Sequence, residues 1–457
     1  MRTLILSDLH LGNGGPYDIF AGAAELPALF DSFTGTPTHV VLNGDSFDFL
    51  LNDDPLAVDP RRTLEQARAL VTSAATAPAL KALGRVLAAG GQATMVVGNH
   101  DLELALPDVQ GVIRSALGQP PDVASRLEFR DGTAPLRLEV GGSHVLVTHG
   151  EHTDVANRID YDSLLSPERA NRFRYPPGSV LVKTLLNPLK HQHRMRYMDL
   201  LKPDFQGAVM VALGVKPDAL KVLFNAGTLT LIRRLLENRS LAPAFALEPM
   251  DAVGASDADA HLARGLARVD LKDDEVEALL SVIDPEKLNA FDNPEALGRA
   301  RLKLAKAGFA LYARLHRAVA GRSGTDYFAL EPGKDELAET ARLGKKYNPQ
   351  AVVMGHTHAA RWHEGDGPLY ANTGTWISLL QLPAPEASDE EWGEYLAELQ
   401  GNPSLDPAKQ KHAKLEQRFT FVEVEPHASA KGATLRLSQW TAQGPKTLRS
   451  AELPSAS

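Results

Sequence analysis

The chain has no cysteine, which excludes disulfides and thiolate metal sites and leaves His, Asp, Glu and Asn to hold any metal. The same absence leaves the redox compartment open. Long apolar runs are missing too. A membrane-spanning helix needs about 18 to 20 apolar residues, and the nearest stretch, GAVMVALGV at 207–215, is half that length. The opening MRTLILSDLH breaks into polar residues after Leu6, too early for a signal-peptide core, so the expected location is cytoplasmic. Positive charge is scarce overall. A net charge of −9 argues against binding nucleic acid through bulk charge, although residues 172–239 carry 12 Lys or Arg against 4 Asp or Glu. That local excess could face an anionic substrate or lipid surface, so peripheral membrane contact stays open while the oligomeric state is not readable. What the chain does have is bulk: 457 residues, 44% apolar, enough for a sizeable core and more than one domain.

Short aliphatic runs recur, and each ends abruptly on polar residues. They are Thr3 to Leu6 before SDLH, His39 to Leu42 before NGD, Thr94 to Val97 before GNHD, Val145 to Val147 before THG, and Ala351 to Met354 before GHTH. Continuous apolar runs suit strands covered on both faces. Between the second and third, Arg61 to Ala89 has Leu64, Ala67, Leu70 and Val71 at helical spacing, with a break expected at Pro78 and a stop at Gly90-Gly91. Strands alternating with helices indicate an α/β layer architecture.

The spacing of the polar strand ends is uneven. His149 and His356 stand 207 residues apart, whereas the earlier clusters recur every 37 to 54. The expected organisation is a core in two parts, 1–150 and 336–457, interrupted by a helical insertion over 151–335. Helical signals inside it include Lys216-Pro217-Asp218, Asp273-Asp274 before Glu275, and an apolar stripe of Leu297, Leu304, Leu311 and Leu315. After GHTH, Leu369 to Trp376 reads as a strand, and Pro383 to Lys411 as acidic and helical. RFTFVEVE at 418–425 and ATLRLSQWT at 433–441 alternate like a half-exposed hairpin, with the tail from Gln443 expected to fray.

Sites in layered α/β sheets form beyond the carboxyl ends of the strands, so clusters spread over 350 residues of chain can converge on one patch. Imidazole and carboxylate donors suit two divalent transition metals such as Mn, Zn, Fe, Ni or Co. In D-x-H and H-x-H, alternate side chains lie on one side of an extended backbone. Glycines at 44, 98, 150 and 355 allow sharp turns beside them. Such a centre lowers the pKa of a bridging water and clamps a phosphoryl group, which makes phosphoester hydrolysis the matching reaction.

The ordered set DxH (Asp8, His10), GDxxD (Asp45, Asp48), GNHD (Asn99, His100, Asp101), HG (His149) and GHTH (His356, His358) resembles the calcineurin-like metallophosphoesterase superfamily. That resemblance implies an αββα sandwich core, here with a large α-helical insertion. It further implies that Asp8, His10, Asp45 and His358 hold one metal, and that Asp45 bridges to a second held by Asn99, His149 and His356. His100 would contact the phosphate and assist the leaving group, Asp101 would orient His100, and Asp48 would support from behind. The nucleophile would be a metal-bridging hydroxide. Within the superfamily, GDSFDFLLNDD at 44–54 is similar to a segment of the UDP-2,3-diacylglucosamine pyrophosphatases, while HGEHTD at 149–154 departs from the HGD of that group. The expected function is hydrolysis of phosphodiesters or pyrophosphate-linked diesters on a small or lipid-linked substrate. A phosphomonoesterase, such as a protein phosphatase or nucleotidase, and a non-catalytic binding scaffold are the alternatives. His152, His191, His193 and His363 match no motif and read as local structure.

Overall fold

The computed structural model describes residues 1–51, 60–154, 157–165, 175–202, 215, 328–383, 388–406, 409–413, 415–428 and 431–456. The helical signals at 216–218, 273–283 and 293–315 lie outside the described residues. The chain divides into two compact units. One comprises Met1–Lys183, Phe328–Ser378 and Gln417–Ser457; the other comprises Thr184–Tyr327 and Leu379–Glu416.

The first unit contains two sheets. Strands β1 (Arg2–Leu6), β2 (Thr38–Asn43), β3 (Gln92–Val96) and β4 (Leu127–Arg130) run parallel side by side. The second sheet takes β5 (Leu136–Val140), β6 (Ser143–Val147), β8 (Ala351–Met354), β9 (Ala360–His363) and β10 (Leu369–Thr373) in the order β5-β6-β8-β10-β9. Its centre, β6-β8-β10, is parallel as well. An antiparallel meander extends the first sheet beyond β1: β13 (Thr420–Pro426), β14 (Ala433–Thr441) and β15 (Gly444–Leu453).

The alternation of side chains along the strands builds the layers. Leu4, Leu6, Val40, Leu42 and Met95 pack with Leu29, Phe30, Leu80, Leu83, Val109 and Ile113 of the flanking helices. Their neighbours Ile5 and Val41 point the other way, into a core shared with Val145, Val147 and Val353 of the second sheet. On the far side, Leu146, Val352 and Met354 meet Leu343 of the helix Lys334–Tyr347. Helix, sheet, sheet, helix is the αββα order expected from the motifs. Each fully buried Leu in these layers contributes about 1.5 to 3 kcal/mol.

Pro78 acts as anticipated. The apolar segment forms two helices, Pro60–Thr72 and Ala77–Ala88, and Pro78 falls in the first turn of the second, where its missing N–H costs no hydrogen bond. The chain then stops at Gly90, whose φ is +90°.

One expectation is overturned. The tail after Gln443 does not fray: β15 pairs with β14 along its length, and Leu453 is buried. The open edge of β14 supplies backbone partners whatever the side chains, and the polar sequence GPKTLRSAEL hid the strand.

In the second unit, the described residues form a small sheet of β7 (Leu201–Lys202), β11 (Leu379–Gln381) and β12 (Leu415–Glu416) in the order β12-β11-β7. The acidic segment yields the helix Asp389–Gly401, whose Ser388 cap accepts the Glu391 N–H at 3.2 Å. No helix among the described residues is long and apolar enough to cross a membrane.

Candidate metal centre

The five polar clusters follow β1, β2 and β3 of the first sheet and β6 and β8 of the second, strands that run parallel within each sheet. Leu6 pairs with Leu42, Asn43 with Val96, and Val147 with Val353, so the strands of each sheet end together, and the residues that follow them in both sheets meet in common groups of ligand atoms. There the backbone is unusual. Among the described residues nine non-glycine positions have positive φ, and five of them are Asp8, His10, Asp45, His356 and His358, at 49° to 69°. Left-handed backbone at such residues costs about 1 to 3 kcal/mol each and marks functional sites. Two glycines make room: a Cβ on Gly44 would strike the His149 ring, and one on Gly98 would strike Asp45.

Asp8, His10, Asp45 and His358 form one group whose ligand atoms lie within 4.8 Å of one another; Asp45, His149 and His356 form a second. Asp45 belongs to both. In the first group His358 Nε2 is 3.3 Å from Asp8 Oδ1, and His10 Nε2 is 3.0 Å from His358 Nε2. Two imidazole lone pairs at that distance repel unless a proton or another cation lies with them. Asp8 is braced from behind, its Oδ2 accepting from Ser7 Oγ and from the His356 N–H, the latter at 2.9 Å.

In the second group His149 Nδ1 donates to the Asn43 carbonyl at 2.8 Å. That bond fixes Nε2 as the nitrogen turned inward, 3.3 Å from Asn99 Oδ1 and 3.4 Å from Asp45 Oδ2. Three atoms of ligand type, one nitrogen and two oxygens, thus face one another. A third cluster, His10, Asp48 and His100, stands beside them: Asp48 is 3.4 Å from His100 Nδ1 and 3.9 Å from His10 Nδ1.

Protonation follows this crowding. Burial, then the neighbouring rings of His100 and His358, pushes His10 down to about 3. Burial also opposes charge on His149, but the Asp45 carboxylate prevails and lifts it to about 10. Asp45 in turn sits well below the usual carboxylate range, because His149 and His100 outweigh its burial. Among the described residues, Asp8 Oδ1, His10 Nδ1 and His356 Nδ1 are buried without a hydrogen-bond partner. Unsatisfied buried donors and acceptors of this kind are costly, and an all N/O donor set around a shared carboxylate fits divalent transition cations.

All seven residues expected to ligate gather here, but Asp101 does not take the expected role. Its carboxylate accepts the backbone N–H of Ser46 at 2.6 Å, Phe47 at 3.2 Å and Gly98 at 2.6 Å. Both oxygens are committed to tying the β2 and β3 turns together, and the carboxylate beside His100 is Asp48. Burial, followed by repulsion from Asp45, raises Asp101 to about 7. Sequence reasoning also passed over Ser7, Asn43, Asp154 and Asn157. None occupies a ligand position in these motifs; Ser7 braces its neighbour Asp8, while Asn43, Asp154 and Asn157 act through partners distant in sequence.

A family model described as calcineurin-like phosphoesterase matches residues 1–198, a span holding every cluster except GHTH. No curated protein matches the chain. His356 and His358 lie beyond the matched span, yet fold onto the same patch as Asp8 and Asp45. The match of residues 1–198 to the calcineurin-like phosphoesterases, with the His and Asp groups gathered here, indicates a metal-dependent phosphoric ester hydrolase.

Proposed function

We propose that this hydrolase acts on phosphodiesters or pyrophosphate-linked diesters, with one divalent cation held by Asp8, His10, Asp45 and His358 and a second by Asp45, Asn99, His149 and His356. The observation that carries the two-cation reading is the buried Asp45 carboxylate, common to both clusters of ligand atoms. Cations bound there would lower the pKa of water towards neutrality and offset phosphoryl charge; Mn, Zn, Fe, Ni and Co all suit the donor set.

The remaining work falls to the chain's own residues. His100 is partly open, with 17% of its side chain exposed, and its Nδ1 faces Asp48 at 3.4 Å. Its backbone N–H donates to Asp45 Oδ1 at 2.8 Å, which ties the ring's position to the shared carboxylate. A ring so held can give a proton to a departing alkoxide. Likeness of residues 44–54 to the pyrophosphatase segment supports a pyrophosphate-linked diester, whose departing oxygen would take that proton.

Chelator-stripped protein reloaded with Mn, Zn, Ni or Co is assayed on bis-aryl and mono-aryl phosphates. The proposal predicts faster diester turnover. Faster monoester turnover indicates a monoesterase, and silence with every metal indicates a binding scaffold. His100→Ala should retain its metals and slow hydrolysis by about 10²- to 10⁴-fold, least where the leaving group is good; equal slowing for all leaving groups contradicts the acid role.

A further inference from the structure

Immediately after His149-Gly150, the chain makes a short 3-10 turn, Glu151–Thr153, and delivers Asp154 and Asn157 to the second ligand group. The turn is pinned: Tyr161 OH donates to the buried Glu151 at 3.0 Å, and Thr153 Oγ1 donates to the Gly150 carbonyl at 2.7 Å. We infer that Asp154 and Asn157 are positioning residues that select the donor atoms of His356 and Asn99 for the second cation, an inference that rests on the two-cation reading above.

The bonds run in sequence. His356 Nε2 lies 3.4 Å from Asp154 Oδ2; Asn157 Nδ2 donates to that same oxygen at 2.6 Å; Asn99 Nδ2 donates to Asn157 Oδ1 at 3.4 Å. An imidazole and a primary amide can each present the wrong atom to a cation, the first by tautomer and the second by a flip. Asp154 takes the Nε2 proton of His356, which leaves Nδ1, a buried nitrogen with no hydrogen-bond partner among the described residues, as the one bearing a lone pair. Asn157 takes the amide N–H of Asn99, which leaves Oδ1 turned towards His149 Nε2 at 3.3 Å. His356 follows β8 and Asn99 follows β3, strands of different sheets, so a segment bridging both can set them together. Carboxylates behind ligating histidines commonly change metal affinity by about 10- to 100-fold.

The Asp154 side chain is 41% exposed, so truncating it opens no buried cavity. The test is calorimetric titration of the chelator-stripped full chain with Mn²⁺, alongside thermal melting, for the wild type, Asp154→Ala, Asp154→Asn and Asn157→Ala. Wild type should take up two cations. Asp154→Ala and Asn157→Ala should bind one within twofold of wild type and the other about 10- to 100-fold more weakly. Asp154→Asn keeps an acceptor oxygen for His356 Nε2–H and should recover most of the loss, which a merely structural role does not predict. Should Asp154→Ala melt early, Asn157→Ala decides. Both affinities unchanged, or both weakened alike, overturns the inference. Failure of the wild type itself to bind a second cation would instead overturn the two-cation reading, and does so without any substitution.

Discussion

Replacing Glu103 by Gln removes the titration of a carboxyl group that is fully buried on the turn after Asp101. Tyr175 OH donates to its Oε1, and Oε2 has no hydrogen-bond partner among the described residues. Burial is the main cause of its rise from 4.5 to about 7, only partly offset by Tyr175. Over that window the folded protein holds a proton that the unfolded chain has released. Stability from this group is therefore full below pH 4.5 and lost as pH rises through about 7. The rise from 4.5 to about 7, at roughly 1.4 kcal/mol for each tenfold change in proton affinity, is worth on the order of 3 kcal/mol. Gln is neutral throughout, so the variant lacks this dependence. Urea unfolding of chelator-treated wild type and Glu103→Gln, read by Trp fluorescence between about pH 4 and pH 8, measures the difference. Three of the four tryptophans, Trp362, Trp376 and Trp440, lie in the sandwich unit and report on it. Other titrating groups, Asp101 among them, are common to both proteins and cancel on subtraction. The stability difference should move in favour of Gln by roughly 3 kcal/mol as pH rises. A difference that does not change with pH would refute the assignment of a buried neutral carboxyl.

Asp45→Asn should lose bound metal and turnover together, since both ligand groups share that carboxylate; full metal content by mass spectrometry with normal turnover would contradict this. Asp101→Ala strands the buried amides of Gly98, Ser46 and Phe47 and should cost about 3 to 5 kcal/mol in denaturant unfolding. A loss below about 1 kcal/mol would mean the amides find other partners. Gly44→Ala places a methyl against the His149 ring at a φ of +83° and should weaken the second cation more than the first by titration calorimetry; equal weakening of both speaks against it.

The sandwich was legible because its parallel strands are covered on both faces, so Leu4 to Leu6 and Val40 to Leu42 are apolar at every position, and because each ends on a polar cluster. Pro78 punctuated the helices for the same local reason. Strand β15 was not legible, since an edge strand with polar faces carries no hydrophobic signal and is held by backbone bonds to β14. Within the site, residue types announced the ligands, while the direction of a carboxylate did not follow from its place in the chain. Asp101 is adjacent to His100 yet points at the amides of the β2 turn, whereas Asp48, 52 residues away, faces the ring. The left-handed backbone at Asp8, His10, Asp45, His356 and His358 had no sequence signature, because non-glycine residues seldom adopt it unless their surroundings impose it.

Anomalous X-ray scattering from crystals of the full chain soaked in Mn²⁺ tests the central claim most directly. The account predicts two neighbouring anomalous peaks, one among Asp8, His10, Asp45 and His358 and the other among Asp45, Asn99, His149 and His356. Peaks located elsewhere, or a single peak that does not touch Asp45, would contradict it.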